Sequence, residues 1–206
     1  MDILCSPLEW CLQRLLHRIY VGRISRAREM LHMAADLLEG EGIPYWIDYG
    51  TLLGAYRNGC LIPWDGDVDL SILAHDHERV LALNPRLPPG FSIEISRNLQ
   101  KKYENGTEFL RLNCKHLKEY IDIYHYRESS DHRFQDLTLS FDGKGYYESQ
   151  PVDPDLLFPL EAIWLEGRRF PCPHRTRDYL LIRYTTLTPR LFRYHKEGER
   201  IPAVLE

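Results

Sequence analysis

The sequence predicts an α+β fold in which helices flank a mixed sheet. Residues 1–40 carry apolar side chains at the spacing of amphipathic helices, and this pattern stops at Gly40. From residue 44 onward the chain consists of short strand-like runs that Gly, Pro and Asn interrupt. We therefore expect an N-terminal pair of helices in residues 1–40, packed on the core, and a larger mixed domain in residues 41–206.

The N-terminal helices are predicted from their caps and their apolar faces. The first is expected over residues 6–20, because Ser6 is a favourable N-cap and Pro7 suits the first helical position. The second is expected over residues 25–39, and Gly40 then supplies a helix-ending glycine. Packing against the core or another subunit is the expected use of the first helix, and peripheral contact with a membrane surface is the alternative.

The remaining elements are predicted from short apolar runs and from the turn residues between them. Short helices are expected at residues 51–57, 75–83 and 176–184, and Glu166-Gly167 is expected to form a turn. Strands are expected at residues 45–48, 68–73, 91–96, 108–113, 120–126 and 135–141. This order of elements suits a mixed sheet with helices on its faces.

The composition is that of an ordinary globular protein, with 206 residues, a net charge of −4 and 27% charged residues. The negative balance implies no general attraction to nucleic acid, so we expect no nucleic-acid partner. The five cysteines are scattered and match neither a zinc spacing nor a disulfide framework, which indicates reduced thiols. Glu9, Gln13 and Arg14 interrupt the first apolar run, so we expect a cytoplasmic location, at the inner face of the membrane if the first helix binds lipid.

Asp65, Asp67 and Asp69 are the first candidates for chemistry. Residues two apart in an extended segment point to the same face, so Asp67 and Asp69 would lie side by side while Val68 and Leu70 face the core. Adjacent carboxylates repel each other unless a cation lies between them, and hard oxygen ligands suit Mg²⁺ or Mn²⁺. The alternative for this segment is a solvated acidic turn.

A strand-to-helix turn upstream of these acids favours a phosphate site. Gly50 and Thr51 would offer backbone N–H groups at a helix N-terminus, which is a natural place for a phosphate. Gly54 lets the same helix approach a neighbour closely, and Arg57 adds a cation whose geometry matches phosphate. The alternative for Gly50 alone is a plain structural turn.

The run from Tyr45 to Leu70 resembles the signature of the LicD family, and residues 120–124 and 171–184 resemble later parts of the family pattern. The resemblance implies a nucleotidyltransferase-like fold and makes residues 41–206 the catalytic domain. It also implies that Asp67 and Asp69 are paired metal ligands and that Asp122 is the third.

Gly66 departs from the family pattern, and the surroundings of Asp122 bear on its predicted role. Many family members carry a further acid where this chain has Gly66, so one peripheral charge is missing while the metal-binding pair is kept. Asp122 lies among apolar and aromatic residues, where an unpaired carboxylate would be costly. A metal ligand is the expected role of Asp122, and a buried acid with a protein partner is the alternative.

The resemblance implies transfer of a phospho-alcohol, phosphocholine first, from a CDP-linked donor to the hydroxyl of a glycan or lipid-linked glycan, with CMP leaving. Asp67, Asp69 and Asp122 would hold Mg²⁺ or Mn²⁺, and Asp65 or Asp122 would act as the base. CDP-ribitol or CDP-glycerol are alternative donors. Nucleotidyl transfer to a small molecule or protein, and a non-catalytic binding role, are alternative functions.

Aromatic residues near the acids offer a second test of the donor. Tyr45, Trp46, Tyr49 and Trp64 could form a pocket for a choline headgroup through cation–π contacts. The alternative is that these side chains cover and pack the sheet.

Overall fold

The computed structural model describes residue 15, residues 20–96, 109–137 and 150–184, and residue 187, together with the backbone alone of four short strands beyond residue 138. The predicted helix over residues 6–20 lies outside the described residues except at its positions 15 and 20. Among the described helices, none has the length and apolar character needed to cross a membrane.

The central sheet is mixed, as the sequence predicts. Its strands follow the order β1-β2-β5-β4-β3, with β6 paired to β5. Strands β2 and β5 run parallel, whereas the other pairs in this sheet are antiparallel. The strands are β1 Tyr45–Ile47, β2 Val68–Leu73, β3 Phe91–Ser96, β4 Phe109–Cys114, β5 Glu119–Glu128 and β6 Phe134–Asp136.

Three antiparallel strand pairs accompany this sheet. They are β7 Leu139–Phe141 with β8 Tyr146–Glu148, β9 Glu161–Leu165 with β10 Arg168–Cys172, and β11 Leu191–Tyr194 with β12 Arg200–Ala203. The predicted strand over residues 135–141 is in fact divided between β6 and β7. Strand β10 was not predicted, because Pro171 and two arginines obscure the alternation expected of a strand.

The hairpin between β9 and β10 turns at Glu166 and Gly167, as the sequence predicts. Both residues have positive φ angles, 49° and 84°, as the two central residues of a type I′ hairpin turn require.

The described helices are α1 Val21–Gly40, α2 Tyr49–Asn58, α3 His77–Leu81, α4 Pro154–Leu157 and α5 Thr176–Arg183. The predicted helix over residues 75–83 is a 3-10 turn, Ala74–Asp76, followed by the short α3. Helices α2 and α5 lie where the sequence predicts helices, whereas α4 was not predicted.

Helix α1 packs on the sheet through an apolar face that belongs to the same hydrophobic core. Met30, Leu31 and Ala35 on this face are completely buried. The helix ends at Gly40, but the glycine that adopts a left-handed conformation after it is Gly42, with φ of 60°. Helix α1 is therefore an integral layer of the fold beside the sheet.

Candidate active site

Strands β2 and β5 place two of the predicted acids next to each other. Asp69 and Asp122 are register partners across the parallel pair, and both side chains are buried. Val68 and Leu70 flank Asp69 on β2 and belong to the hydrophobic core, as the predicted alternation of core and acidic residues requires. The nonlocal pairing of β2 with β5 brings Asp122 to the acidic segment.

The turn before α2 is joined directly to the start of β2. Asp48 caps α2 by accepting a hydrogen bond from the Tyr49 backbone N–H at 2.8 Å. The Thr51 hydroxyl accepts a hydrogen bond from the Asp69 backbone N–H at 2.9 Å. Gly50 and Thr51 thus occupy the first turn of a ten-residue helix, where backbone N–H groups have no intrahelical partner.

Gly50 and Asp65 are in close contact. A Cβ atom added to Gly50 would lie 2.0 Å from Asp65 Oδ2 and 3.6 Å from Asp69 Oδ2. Asp65 is held in this position because its other carboxylate oxygen, Oδ1, accepts a hydrogen bond from the Gly66 N–H at 3.0 Å. The first turn of α2 therefore requires glycine at position 50 so that the acids can approach the helix N-terminus.

Burial and mutual repulsion disfavour ionisation of these acids. Burial, followed by the charge of Asp67, raises the pKa of Asp65 to about 6. Burial, then Asp67, Asp65 and Asp122, raises the pKa of Asp69 well above its ordinary value. Asp67 thus interacts with each of the other acids. A divalent cation would relieve this repulsion, so the donor set suits a hard metal ion such as Mg²⁺ or Mn²⁺.

Asp122 has a protein partner that the sequence did not reveal. Arg111, its register partner on β4, donates two hydrogen bonds to the Asp122 carboxylate, at 2.6 and 2.8 Å. Burial raises the pKa of Asp122, and the Arg111 hydrogen bonds act in the opposite direction. The structure thus contains the protein partner that was the alternative for Asp122, and its role as a metal ligand stays a prediction.

This ion pair bears on the predicted metal site. Within the described residues, no group of three or more His, Cys, Asp or Glu side chains is already arranged to hold a metal ion. Asp67 and Asp69 supply two carboxylates at the start of β2. The predicted third ligand, Asp122, is engaged by Arg111 through both carboxylate oxygens.

Arg57 lies in the last turn of α2, away from the helix N-terminus. Its Nε donates a hydrogen bond to the Leu187 carbonyl at 2.6 Å. It follows Gly50 by seven positions of α-helix, which is about 10 Å along the helix axis. Its predicted contact with donor phosphate therefore remains a prediction that depends on the reach of a long side chain.

Beneath the site, Asp48 is a completely buried anion with many hydrogen-bond donors. The side-chain donors come from four elements, and their distances to the carboxylate lie between 2.7 and 3.3 Å. They are Trp46, Ser71, Tyr126 and Tyr179. The Arg183 guanidinium donates in turn to the Tyr126 hydroxyl at 2.6 Å. This network fixes the turn that carries Gly50.

The C-terminal part of the chain also reaches the site. Tyr179 on α5 binds Asp48, and the pKa of Tyr184 is raised by burial and then by the nearby charges of Asp69 and Asp65. The segment that resembles the family's C-terminal pattern therefore packs on the residue that caps α2.

The predicted choline pocket is incomplete. Tyr45 and Trp46 are buried in the core, where the Trp46 ring contacts Tyr126 with the ring centres 5.1 Å apart. Tyr49 lies against Tyr124, and Trp64 packs on the hydrophobic core. For Tyr45 and Trp46, the packing alternative is the one that the structure contains.

A shallow depression, partly open to solvent and without an enclosed cavity, lies over the first turn of α2. Three groups of residues line it: the two acids that precede β2, the first turn of α2, and one arginine from α1. The lining residues are Arg23, Gly50, Thr51, Leu61, Ile62, Asp65 and Asp67.

Comparison with known proteins identifies similar sequences. A family model described as "LicD/FKTN/FKRP, nucleotidyltransferase domain" matches residues 42–175. A Mus musculus protein named "Ribitol-5-phosphate transferase FKTN" is 30% identical over 168 residues, which cover 75% of this chain and 35% of that protein. The Homo sapiens "Ribitol 5-phosphate transferase FKRP" is 49% identical over 49 residues, which cover 24% of this chain and 10% of that protein.

A structural comparison finds the lincomycin-bound crystal structure of the lincosamide antibiotic adenylyltransferase LnuA. The two chains share 19% identity with a TM-score of 0.41, over 74% of this chain and 83% of that one. The sequence match to the family covers the whole acidic site and the turn before α2. The chain spans about a third of the length of the FKTN proteins that it matches.

Proposed function

The chain belongs to the LicD family, and we propose that its acidic site transfers a phospho-alcohol from a CDP-linked donor to a glycan hydroxyl, with release of CMP. The observation that carries this proposal is the contact between the first turn of α2 and the acids. Asp65 packs on Gly50, and the Asp69 N–H binds Thr51, so carboxylates and free N–H groups share one small depression. A phosphate bridged to the acids by a divalent cation would fit this combination of charges.

Ribitol 5-phosphate is the first choice for the transferred group. The FKTN and FKRP relatives are named for ribitol-5-phosphate transfer. Burial of Tyr45 and Trp46 also removes two of the four aromatic side chains that a choline pocket would have used. An uncharged polyol needs no aromatic cage, so CDP-ribitol takes precedence over CDP-choline, with CDP-glycerol as a further candidate.

Asp67 and Asp69 would hold the metal, with Asp122, which is paired with Arg111, as the third ligand. When bound, Mg²⁺ or Mn²⁺ would supply positive charge that neutralises the donor diphosphate and favours departure of the leaving group. The backbone N–H groups of Gly50 and Thr51 would donate hydrogen bonds to diphosphate oxygens. Arg57 remains a further candidate for this contact.

In the transfer step, the acceptor hydroxyl oxygen forms a bond to the phosphorus that carries the alcohol. The bond between that phosphorus and the bridging oxygen breaks, and CMP leaves with the electron pair. Asp65 accepts the hydroxyl proton in this scheme, because Asp122 is held by Arg111 and Asp65 lines the depression. The chain's own contribution is therefore orientation of the donor and removal of one proton.

Nucleotidyl transfer is the second candidate function, because the matching family model is described as a nucleotidyltransferase domain. In that reaction the attacked phosphorus would be the one next to the nucleoside, and pyrophosphate would leave an NTP. The same acids and the same turn would serve both reactions. The identity of the leaving group therefore distinguishes the two functions.

The proposal is tested by incubating the chain with a glycan acceptor and CDP-ribitol, CDP-glycerol or CDP-choline, with Mg²⁺ or Mn²⁺, and measuring CMP release. We expect CMP from CDP-ribitol, none in the presence of EDTA, and a loss of about a thousandfold or more in a folded Asp67→Asn variant. Pyrophosphate release from an NTP, without CMP from any CDP-alcohol, would replace phospho-alcohol transfer by nucleotidyl transfer. Activity that survives in Asp67→Asn would contradict both reactions at this site.

A further inference from the structure

The geometry points to Arg23 on helix α1 as a residue that binds the donor's diphosphate, an inference that rests on the proposed function of the same site. Arg23 lines the depression together with Gly50, Thr51, Asp65 and Asp67. Helix α1 precedes the segment that the family model matches, which begins at residue 42. The N-terminal helix therefore supplies a side chain to the site as well as packing on the sheet.

Helix α1 is held firmly enough to position this side chain. On the side of β10, Arg168 donates hydrogen bonds to Asp36 at 2.6 Å and to Glu39 at 2.8 Å. The apolar face of α1 is buried in the core, and Ile24, next to Arg23, is only 2% exposed. The backbone at Arg23 is thus fixed relative to the sheet that carries the acids.

A neighbouring arginine leaves the Arg23 guanidinium available for a ligand. Both Arg23 and Arg26 face Glu119 at the start of β5. Arg26 binds this carboxylate at 3.0 and 3.1 Å, whereas Arg23 Nε lies 3.8 Å from it, beyond hydrogen-bond distance. Both Arg26 contacts go to Oε1 of Glu119, and Arg23 faces Oε2 without a hydrogen bond, so the Arg23 guanidinium keeps N–H donors for another anion.

The charges that line the depression favour a role for the Arg23 guanidinium in anion binding. Among its lining residues Arg23 is the one cationic side chain, beside two carboxylates. A guanidinium can bind phosphate through two parallel N–H bonds, and the N-terminus of α2 adds a partial positive charge.

The depression is a shallow surface feature with no enclosed cavity. A bound diphosphate would therefore lie over the first turn of α2, and the nucleoside and the alcohol would extend beyond it.

The test compares Arg23→Gln with Arg26→Gln, because both arginines face Glu119 and only Arg23 lines the depression. Binding of CDP and of inorganic pyrophosphate is measured by titration calorimetry with Mg²⁺ present, and the KM for CDP-ribitol is measured alongside. We expect Arg23→Gln to weaken both ligands by roughly tenfold to a hundredfold, as for loss of a charged hydrogen bond, with its unfolding midpoint close to wild type. Arg26→Gln should change ligand binding less than twofold, and Arg23→Lys should recover part of the loss.

The results separate Arg23 from the proposed function. Equal weakening in both glutamine variants, unchanged binding in Arg23→Gln, or no binding of CDP or pyrophosphate by the wild-type chain would overturn the assignment of Arg23. If no CDP-alcohol yields CMP but Arg23→Gln still loses pyrophosphate binding, the assignment of Arg23 is supported and phospho-alcohol transfer is refuted. If CMP release proceeds in Arg23→Gln with an unchanged KM for CDP-ribitol, phospho-alcohol transfer is supported and the assignment of Arg23 is refuted.

Discussion

Replacing Gly50 by alanine should separate catalysis from folding. The new Cβ would lie 2.0 Å from Asp65 Oδ2, whereas ordinary van der Waals contact begins near 3.4 Å. The contact must therefore open by about 1.4 Å, and because the obstacle is the end of a side chain, the Asp65 carboxylate would move away from the helix N-terminus.

The size of that displacement sets the expected loss of activity. A misplacement of about 1 Å in a catalytic arrangement costs on the order of a hundredfold in rate. Gly50 does not require a positive φ angle. Alanine also favours a helix by up to about 1 kcal/mol over glycine, which offsets the steric cost. We expect a CMP-release rate about a hundredfold lower, with the free energy of unfolding within about 1 kcal/mol of wild type.

Two other glycines provide matched controls. A Cβ on Gly66 would have nothing within 4 Å, so Gly66→Ala should leave both activity and stability near wild type. A Cβ on Gly54 would lie 2.5 Å from the Cys60 backbone oxygen, so Gly54→Ala should destabilise the fold. The assays are initial rates of CMP release and denaturant unfolding for all three variants. Wild-type activity in a folded Gly50→Ala variant would refute the role given to the Asp65–Gly50 contact.

Three further outcomes follow from the buried charges. Asp48→Ala should lower the free energy of unfolding by about 3 kcal/mol or more, since Arg183 loses a nearby buried anion, and a loss below about 1 kcal/mol in denaturant melts would contradict this. Arg111→Gln should tighten Mn²⁺ binding severalfold in calorimetry if the metal recruits Asp122, while an unchanged affinity would exclude Asp122 as a ligand. With EDTA, the stability that Asp65 contributes through its raised pKa is fully present below 3.8 and lost as pH rises through about 6. Wild type should therefore lose stability relative to Asp65→Asn between pH 4 and 7, and a constant difference in unfolding free energy over that range would contradict this.

The parts of the site that follow from local rules were accessible from the sequence. Alternation along an extended segment places Asp67 and Asp69 together and turns Val68 and Leu70 to the core. A glycine at a strand-to-helix turn likewise indicates the first turn of α2. Close approach at Gly54 is also confirmed, and the group that approaches is the backbone of the following loop.

Other parts depend on which strands pair and in what register. Arg111 meets Asp122 only because β4 lies beside β5, and nothing in the sequence around Arg111 indicates that pairing. Asp48 stands within the motif, but its donors come from distant segments such as Tyr126 and Tyr179. Such contacts are set by the assembled fold and have no local sequence pattern.

The aromatic pocket shows why proximity in sequence was misleading. Tyr45 and Trp46 are consecutive in β1 and point to opposite faces, and both are buried because helices or loops cover each face. Arg23 presents the opposite case. It looks like a solvated charge on an amphipathic helix, yet the packing of α1 brings it to the depression over α2.

A crystal structure of the chain with CDP and Mn²⁺ tests the central claim most directly, because anomalous scattering locates the metal and the density shows the diphosphate. We predict Mn²⁺ between the carboxylates of Asp67 and Asp69, and diphosphate oxygens on the N–H groups of Gly50 and Thr51. Mn²⁺ bound at a different place, or a nucleotide whose phosphates lie away from the first turn of α2, would contradict the assignment of this site.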